Sequence, residues 1–327
     1  MPGEETKPLV AVVGPTGSGK SSLALRLAEH FDGEIVNFDS LQMYRGFNIG
    51  TAKVGEDERR GIPHHLVDAA APEETVTAGE YARRARAVLA GIGARGRLPV
   101  LVGGTGFYLK ALLDGLAPGP QRDTALRTRL EGIERRRRGG LHRILRRIDP
   151  ATASRIHAND VQKLVRAVEI CLLARRPAAL VFEAGRDRLQ GWTALKLGLN
   201  PERQELYDRL DQRTAGMFQT GLVEEVRGLL DLGVPAGAKP FESIGYRQAL
   251  SVVRGELTLE QAVASTQLAT RQYAKRQWTW FRRDSEVQWL QGFGEDPAIV
   301  DAGIYATHSF IKLFSKIKAG WTEHRPI

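Results

Sequence analysis

The chain is predicted to be an α/β protein built on a parallel sheet, on three observations. Short apolar runs at Leu9–Val13, Gly33–Phe38 and Leu98–Val102 have the composition of buried strands. Helical patterns lie between them, including Ser22–His30 and Ala78–Ile92, and that alternation builds parallel sheets. Between the first run and the first helix stands Gly14-Pro15-Thr16-Gly17-Ser18-Gly19-Lys20-Ser21, which fits G-x-x-x-x-G-K-[ST].

That octapeptide has the strand before it and the helix after it that its chemistry needs. Glycines let backbone N–H groups curl around phosphate oxygens, and the helix N-terminus adds partial positive charge. Lys20 brings a full charge, and the Ser21 hydroxyl can reach a Mg²⁺ on the phosphates. Gly14 to Ser21 are therefore the expected site for a di- or triphosphate, on a P-loop NTPase-like parallel sheet flanked by helices. The competing view, a glycine-rich turn of no consequence, leaves the full pattern and its flanks unexplained.

The 327 residues suffice for one large domain or two ordinary ones. A net charge of +9 points to an anionic partner, with nucleic acid first. The single cysteine, Cys171, can form no intramolecular disulfide and has no metal-ligand companions, which favours a reducing, cytoplasmic location. Met1 to Lys7 lack a signal-peptide layout, and no apolar run reaches membrane-spanning length, so no membrane partner is expected.

In parallel sheets ligands bind at the carboxyl ends of the strands, so the residues that follow each strand carry the information. After the second strand comes Asp39-Ser40-Leu41-Gln42-Met43-Tyr44-Arg45, then Ile49-Gly50-Thr51-Ala52-Lys53. Asp39 has two readings of equal weight. It is a general base or Mg²⁺ partner facing the phosphate loop, or it caps the next helical turn. After the third strand, where a triphosphatase usually carries an acidic residue, stand Gly103 and Gly104, followed by Thr105. This argues against simple ATP or GTP hydrolysis. In Pro63-His64-His65-Leu66 the adjacent histidines point to opposite faces of a strand, so one of them is expected to be structural or substrate-positioning.

Pro118, Gly119 and Pro120 punctuate the chain, and arginines then become dense from Arg122 to Arg147. A helical inserted module over residues 121–194 is expected, splitting a core of residues 1–120 and 195–327. In it, Val161, Leu164, Val165 and Val168 recur at helical spacing, with Lys163 and Arg166 on the other side. Leu195–Leu199 returns the chain to the sheet, and Asn200-Pro201 opens a helix bearing Arg203, Arg209 and Arg213. Ser243-Ile244-Gly245-Tyr246-Arg247 is a compact polar-aromatic patch. The helix from Leu259 to about Arg283 interleaves cations with aromatics, which suits phosphate contact and base stacking. The other reading is an amphipathic helix whose aromatics are core, and both hold if the aromatics face inward and the cations outward. No motif follows Gly292, and a helix is expected over Ile304–Ile317.

Taken together, residues 14–21, 39–45, 49–53, 63–66, Gly103-Gly104-Thr105-Gly106-Phe107-Tyr108, Ile244–Arg247 and Lys275-Arg276-Gln277-Trp278-Thr279-Trp280-Phe281-Arg282 resemble the tRNA dimethylallyltransferases, also called tRNA isopentenyltransferases. The resemblance runs from about residue 9 to 283. It implies transfer of a dimethylallyl group from dimethylallyl diphosphate to N6 of adenosine 37 in tRNAs reading codons that begin with U, with release of diphosphate. It further implies Mg²⁺ at Ser21, prenyl diphosphate on Thr16 to Ser21, Asp39 as the base, and Arg213 near the diphosphate. Lys20, Thr105 and Arg213 join Asp39 as its implied catalytic set.

The implied tRNA contacts are Asp39, Ser40, Leu41, Gln42, Thr105, Arg127, Gln162, Lys163, Leu164, Val165 and Arg166, then Ser243 to Arg247 and Lys275 to Arg282. Gln162-Lys163 stands where the family more often has Gln-Arg, and Gly17 where many members have Ala. The absence of a zinc finger fits the bacterial type, and a monomer that engages the anticodon stem-loop is expected. The alternative is a P-loop small-molecule or nucleotide kinase, which leaves the basic-aromatic helix idle.

Overall fold

The computed structural model describes residues 6–117, 119–183 and 185–315. Pro118 of the punctuating segment and the last two residues of the helix expected over 304–317 lie outside them. In chain order the elements are β1 (Lys7–Val13), α1 (Lys20–His30), β2 (Gly33–Asn37), β3 (His64–His65), α2 (Ala78–Ala94), β4 (Leu98–Val102) and α3 (Gly106–Leu113). Five helices follow: α4 (Thr124–Arg136), α5 (Gly140–Ile148), α6 (Pro150–Ala153), α7 (Val161–Ala174) and α8 (Ala178–Glu183). Then come β5 (Trp192–Leu199), α9 (Arg203–Gln219), α10 (Leu222–Asp231), α11 (Tyr246–Val253), α12 (Leu259–Phe281), β6 (Val287–Leu290) and α13 (Pro297–Ser315).

The chain divides into two compact units: residues up to Leu112 with those from Gln190 onward, and Leu113–Leu189. In the larger unit six parallel strands lie in the order β3-β2-β4-β1-β5-β6. Central β1 pairs with β4 and β5, placing Ala11 opposite both Leu101 and Lys196. Leu9 to Val13 are fully buried. A strand covered on both faces reads as a continuous apolar run, and this is why β1, β2 and β4 are legible in the sequence. On one face Leu23 and Leu27 of α1 and Ile299 and Ile311 of α13 pack in one cluster with Val10, Val100 and Leu197. The C-terminal helix thus begins at Pro297, seven residues before the expected Ile304, because Ile299 belongs to this core. Pro201 precedes the first turn of α9, whose cap is Glu202, accepting from the N–H groups of Gln204 and Glu205.

In the smaller unit Leu130, Leu141, Leu145, Leu164, Val165, Val168, Cys171 and Val181 form one core. Glu169 lies fully buried there. Its carboxylate accepts from Arg127 Nε and Nη2 at 2.8 Å each, from Arg166 Nη1 at 2.6 Å and from the Asp123 N–H at 2.9 Å. Burial opposes its ionisation, but these donors outweigh burial and hold it at about 2. Two of the residues implied for tRNA contact, Arg127 and Arg166, both pair with this buried carboxylate, Arg127 largely buried and Arg166 with 36% of its side chain exposed. Leu164 and Val165 are core, with no surface to offer a ligand. Gln162 and Lys163 are exposed, as are Arg122, Arg129, Arg135 to Arg138, Arg143, Arg146 and Arg147.

Candidate active site

The carboxyl ends of β1, β2 and β4 open on one cavity of about 510 Å³ in the larger unit. Its lining includes Thr16, Gly17, Gly19, Lys20 and Ser21 of the glycine loop, Asp39 and Gln42 after β2, Gly103 and Gly104 after β4, and Arg209 and Arg213 of α9. The glycine loop turns between β1 and α1 through Gly14, Gly17 and Gly19 in conformations with positive φ. Ser18 faces inward, its hydroxyl donating to the Pro15 carbonyl at 2.8 Å. Lys20 Nζ donates to the same carbonyl at 2.7 Å. Burial lowers the Lys20 ammonium to about 8, while the Asp39 carboxylate pulls it up and Arg213 pushes it down. Arg213 Nη2 donates to the Thr16 hydroxyl at 3.0 Å. Burial also lowers the Arg213 guanidinium, with Arg209 adding to the effect.

Asp39 is held by its neighbours. Its N–H donates to Asn37 Oδ1 at 2.9 Å, and its own Oδ1 accepts the Leu41 N–H at 3.0 Å. It therefore caps the turn and also lines the cavity. The glycines after β4 have a steric reason. A Cβ on Gly103 would fall 2.5 Å from the Phe38 carbonyl carbon, and one on Gly104 would fall 2.2 Å from Gln277 Nε2. Only glycine lets that loop pass between Asp39 and α12. Thr105 ties it to the β2 loop, accepting the Ser40 N–H at 3.0 Å and donating to Ser40 Oγ at 3.2 Å.

Gln277, expected at the tRNA surface, is buried instead. It accepts the Thr16 N–H at 2.7 Å and donates to the Gly104 carbonyl at 2.9 Å, clamping the glycine loop to the β4 loop. Trp278 and Phe281 are core for the same reason, since they lie on the inward face of α12. Lys275, Arg276, Thr279, Trp280 and Arg282 are exposed, and Trp280 meets exposed Phe107 edge-on at 6.4 Å.

Tyr246 is likewise fully buried. Its hydroxyl donates to Glu225 and accepts the Gly50 N–H at 3.1 Å, while Glu225 also accepts the Ile49 N–H at 2.9 Å. These contacts pin the Ile49–Lys53 segment. Gln42 Nε2 holds the Thr51 carbonyl at 3.1 Å, and Lys53 is bound to Asp68 at 2.6 Å. Of the Ser243–Arg247 patch, Arg247 is exposed, Ser243 and Ile244 are partly so, and Gly245 is buried. Both histidines make contacts within the protein, where a structural or substrate-positioning role was expected of one: His65 bonds Glu34 at 2.6 Å and His64 bonds the Ile62 carbonyl at 2.8 Å.

The glycine loop, Lys20 and two arginines gather cationic donors at one cavity, whose lining also holds the carboxylates of Asp39, Glu58 and Glu295, and they define a class: an α/β enzyme with an anion-binding cavity. The family model described as "IPP transferase" matches residues 42–284. The tRNA dimethylallyltransferase of Solibacter usitatus is 60% identical over 93% of this chain and 99% of its own length. That of Koribacter versatilis is 55% identical over 89% and 95%. Among solved structures, the tRNA isopentenylpyrophosphate transferase of Bacillus halodurans superposes with a TM-score of 0.69 at 36% identity, covering 95% of this chain and 99% of that one. A eukaryotic dimethylallyltransferase acting on tRNA superposes with a TM-score of 0.80 at 26% identity, over 94% and 80%. The chain belongs to the IPP transferase family, the tRNA dimethylallyltransferases.

Proposed function

We propose that this chain transfers the dimethylallyl group of dimethylallyl diphosphate to N6 of adenosine 37 in tRNAs reading codons that begin with U. The observation that carries this is that Asp39, Lys20 and Arg213 line one cavity whose β4 end is glycine instead of acidic. In the reaction the N6–C1 bond forms and the C1–O bond breaks. Diphosphate leaves with the electron pair of that bond, and the N6 proton passes to the Asp39 carboxylate. An allylic diphosphate ionises readily once its leaving charge is met, which Lys20, the loop N–H groups and Arg213 are placed to do. The adenine amine is a weak nucleophile, so orientation and a base matter. The base must also leave its stack to enter the cavity.

Mg²⁺ suits the hard oxygen donors at this site: the Ser21 hydroxyl, aided by the diphosphate itself, would hold it. Bound there, it would neutralise charge on the leaving group. For tRNA, the exposed cations Lys275, Arg276 and Arg282 and the module's exposed arginines supply phosphate contacts, and the Phe107–Trp280 pair an aromatic surface. No helix among the described residues is long and apolar enough to cross a membrane. A cytoplasmic monomer completes the proposal. A kinase gains nothing from these features, because it leaves the cationic face of α12 without work.

The test is to incubate the protein with unmodified tRNA and labelled dimethylallyl diphosphate, then digest the tRNA to nucleosides. Label is expected in N6-dimethylallyladenosine. Label absent from tRNA, or a phosphoryl group moving from ATP to any acceptor in its place, would overturn the assignment.

A further inference from the structure

Arg209 and Arg213 lie four residues apart on α9, one above the other on the same helix face, and both line the cavity. Like charges in that arrangement repel, so an anion between or beside them is favoured. Arg213 rests on the Thr16 hydroxyl. Arg209 is paired with the carboxylate of Glu295, its Nη1 donating to Oε1, and its guanidinium lies 4.9 Å from the centre of the Phe293 ring.

Glu295 belongs to the loop between β6 and α13, which lies over the glycine loop. The Gly294 N–H donates to the Ser18 carbonyl at 2.9 Å. A Cβ on Gly294 would fall 2.2 Å from the Gly19 carbonyl oxygen, and a Cβ on Gly19 would fall 2.0 Å from Glu295 Oε2. Neither position admits a side chain. The Glu295 carboxylate thus sits against the phosphate cradle, where an anion is favoured, and it holds an arginine that faces the same space.

We propose that Arg209 is a second arginine for the diphosphate leaving group, and that Glu295 is its place-holding anion, exchanged for the diphosphate when that binds. The proposal rests on the assignment of the cradle as a diphosphate site. It makes Arg209 a binding residue and Glu295 a positioning residue. It also explains why the C-terminal segment, silent as a motif, is folded onto the glycine loop.

The test is calorimetric titration with inorganic pyrophosphate and Mg²⁺ of the wild type and of Arg209→Ala, Arg209→Lys, Glu295→Gln, Arg209→Ala/Glu295→Gln and Lys20→Ala. Thermal unfolding without ligand shows that each variant is folded. Arg209→Ala is expected to weaken binding about 10–100-fold, the range for a hydrogen bond to a charged group, and Arg209→Lys to recover part of it. Glu295→Gln is expected to tighten binding about 2–5-fold, as a competing surface pair is released. In the Arg209→Ala background the same change should give no such gain from freeing the arginine. If Lys20→Ala weakens binding while Arg209→Ala and Arg209→Lys do not, the inference is overturned and the diphosphate site stands. If Lys20→Ala binds as well as the wild type, the diphosphate site itself is wrong. A Glu295→Gln protein that binds pyrophosphate more weakly would overturn the place-holder role.

Discussion

Lys20→Ala is expected to leave the protein folded and to remove nearly all prenyl transfer. In the free protein the Lys20 ammonium makes one resolved hydrogen bond, to the Pro15 carbonyl at 2.7 Å. Losing it should cost about 1.5–3 kcal/mol of stability, the range for a hydrogen bond to a charged group, partly offset because a buried ammonium no longer has to be desolvated. In the reaction the same ammonium meets charge that develops on the departing oxygen, in a half-buried site where an electrostatic contact counts for more than in water. Removing one such group typically lowers the rate by about 10²–10³-fold, and the loss is expected in kcat. The measurement is single-turnover transfer with a thermal melt of the same preparation. Wild-type rates in a folded Lys20→Ala protein would remove Lys20 from the chemistry.

The state of Lys20 adds a pH signature. Burial lowers its ammonium to about 8, so in the free protein the proton is lost as pH rises through that value. Pyrophosphate binding must then restore the proton, and wild-type affinity is expected to fall across this range relative to Lys20→Ala, which has no such group to recharge.

Asp39→Asn is expected to separate chemistry from architecture. Asparagine keeps the side-chain oxygen that accepts the Leu41 N–H, so the turn after β2 should survive. It cannot take the N6 proton. With Asp39 as the base, tRNA and dimethylallyl diphosphate should bind with near-normal affinity, and the single-turnover rate should drop by about 10²–10⁴-fold. With Asp39 as a cap alone, Asp39→Ala rather than Asn would be the damaging change. That loss would appear as about 1 kcal/mol of stability, with the chemical step unaffected. Rescue of the Asn variant by raised Mg²⁺ would instead assign the carboxylate to metal positioning. A near-wild-type rate in the Asn variant would end its role as base.

Much of the sheet was legible because its central strands are buried on both faces. Such strands need no partner information to be seen, and β1, β2 and β4 read directly from their apolar runs. The edges were not legible. β3 is two residues long, and β6 has one buried residue, Val287, in four, so neither carries a pattern. At the site, the glycine loop and Asp39 were visible because their spacing is local. The burial of Gln277 has no local sign, because its partners, Thr16 and Gly104, lie 261 and 173 residues away. Glu295 was missed for the same reason. Glu169 was not singled out, although a signal was present: it falls four residues after Val165, on the apolar stripe of α7, where an acidic residue needs buried cations. Arg127 and Arg166 are those cations, and Arg127 is largely buried by the pairing. Trp278 and Phe281 take the core positions that the amphipathic reading of this helix allows, whereas nothing local marks Tyr246 as buried.

The central claim is that this P-loop grips a leaving diphosphate and not a nucleotide. The direct measurement is the stoichiometry of inorganic pyrophosphate released against dimethylallyl groups gained by unmodified tRNA, with no nucleoside triphosphate present. The expected result is one pyrophosphate per modified adenosine, with no orthophosphate formed and no change in yield when ATP is added. A requirement for ATP, or orthophosphate appearing in place of pyrophosphate, would contradict the claim.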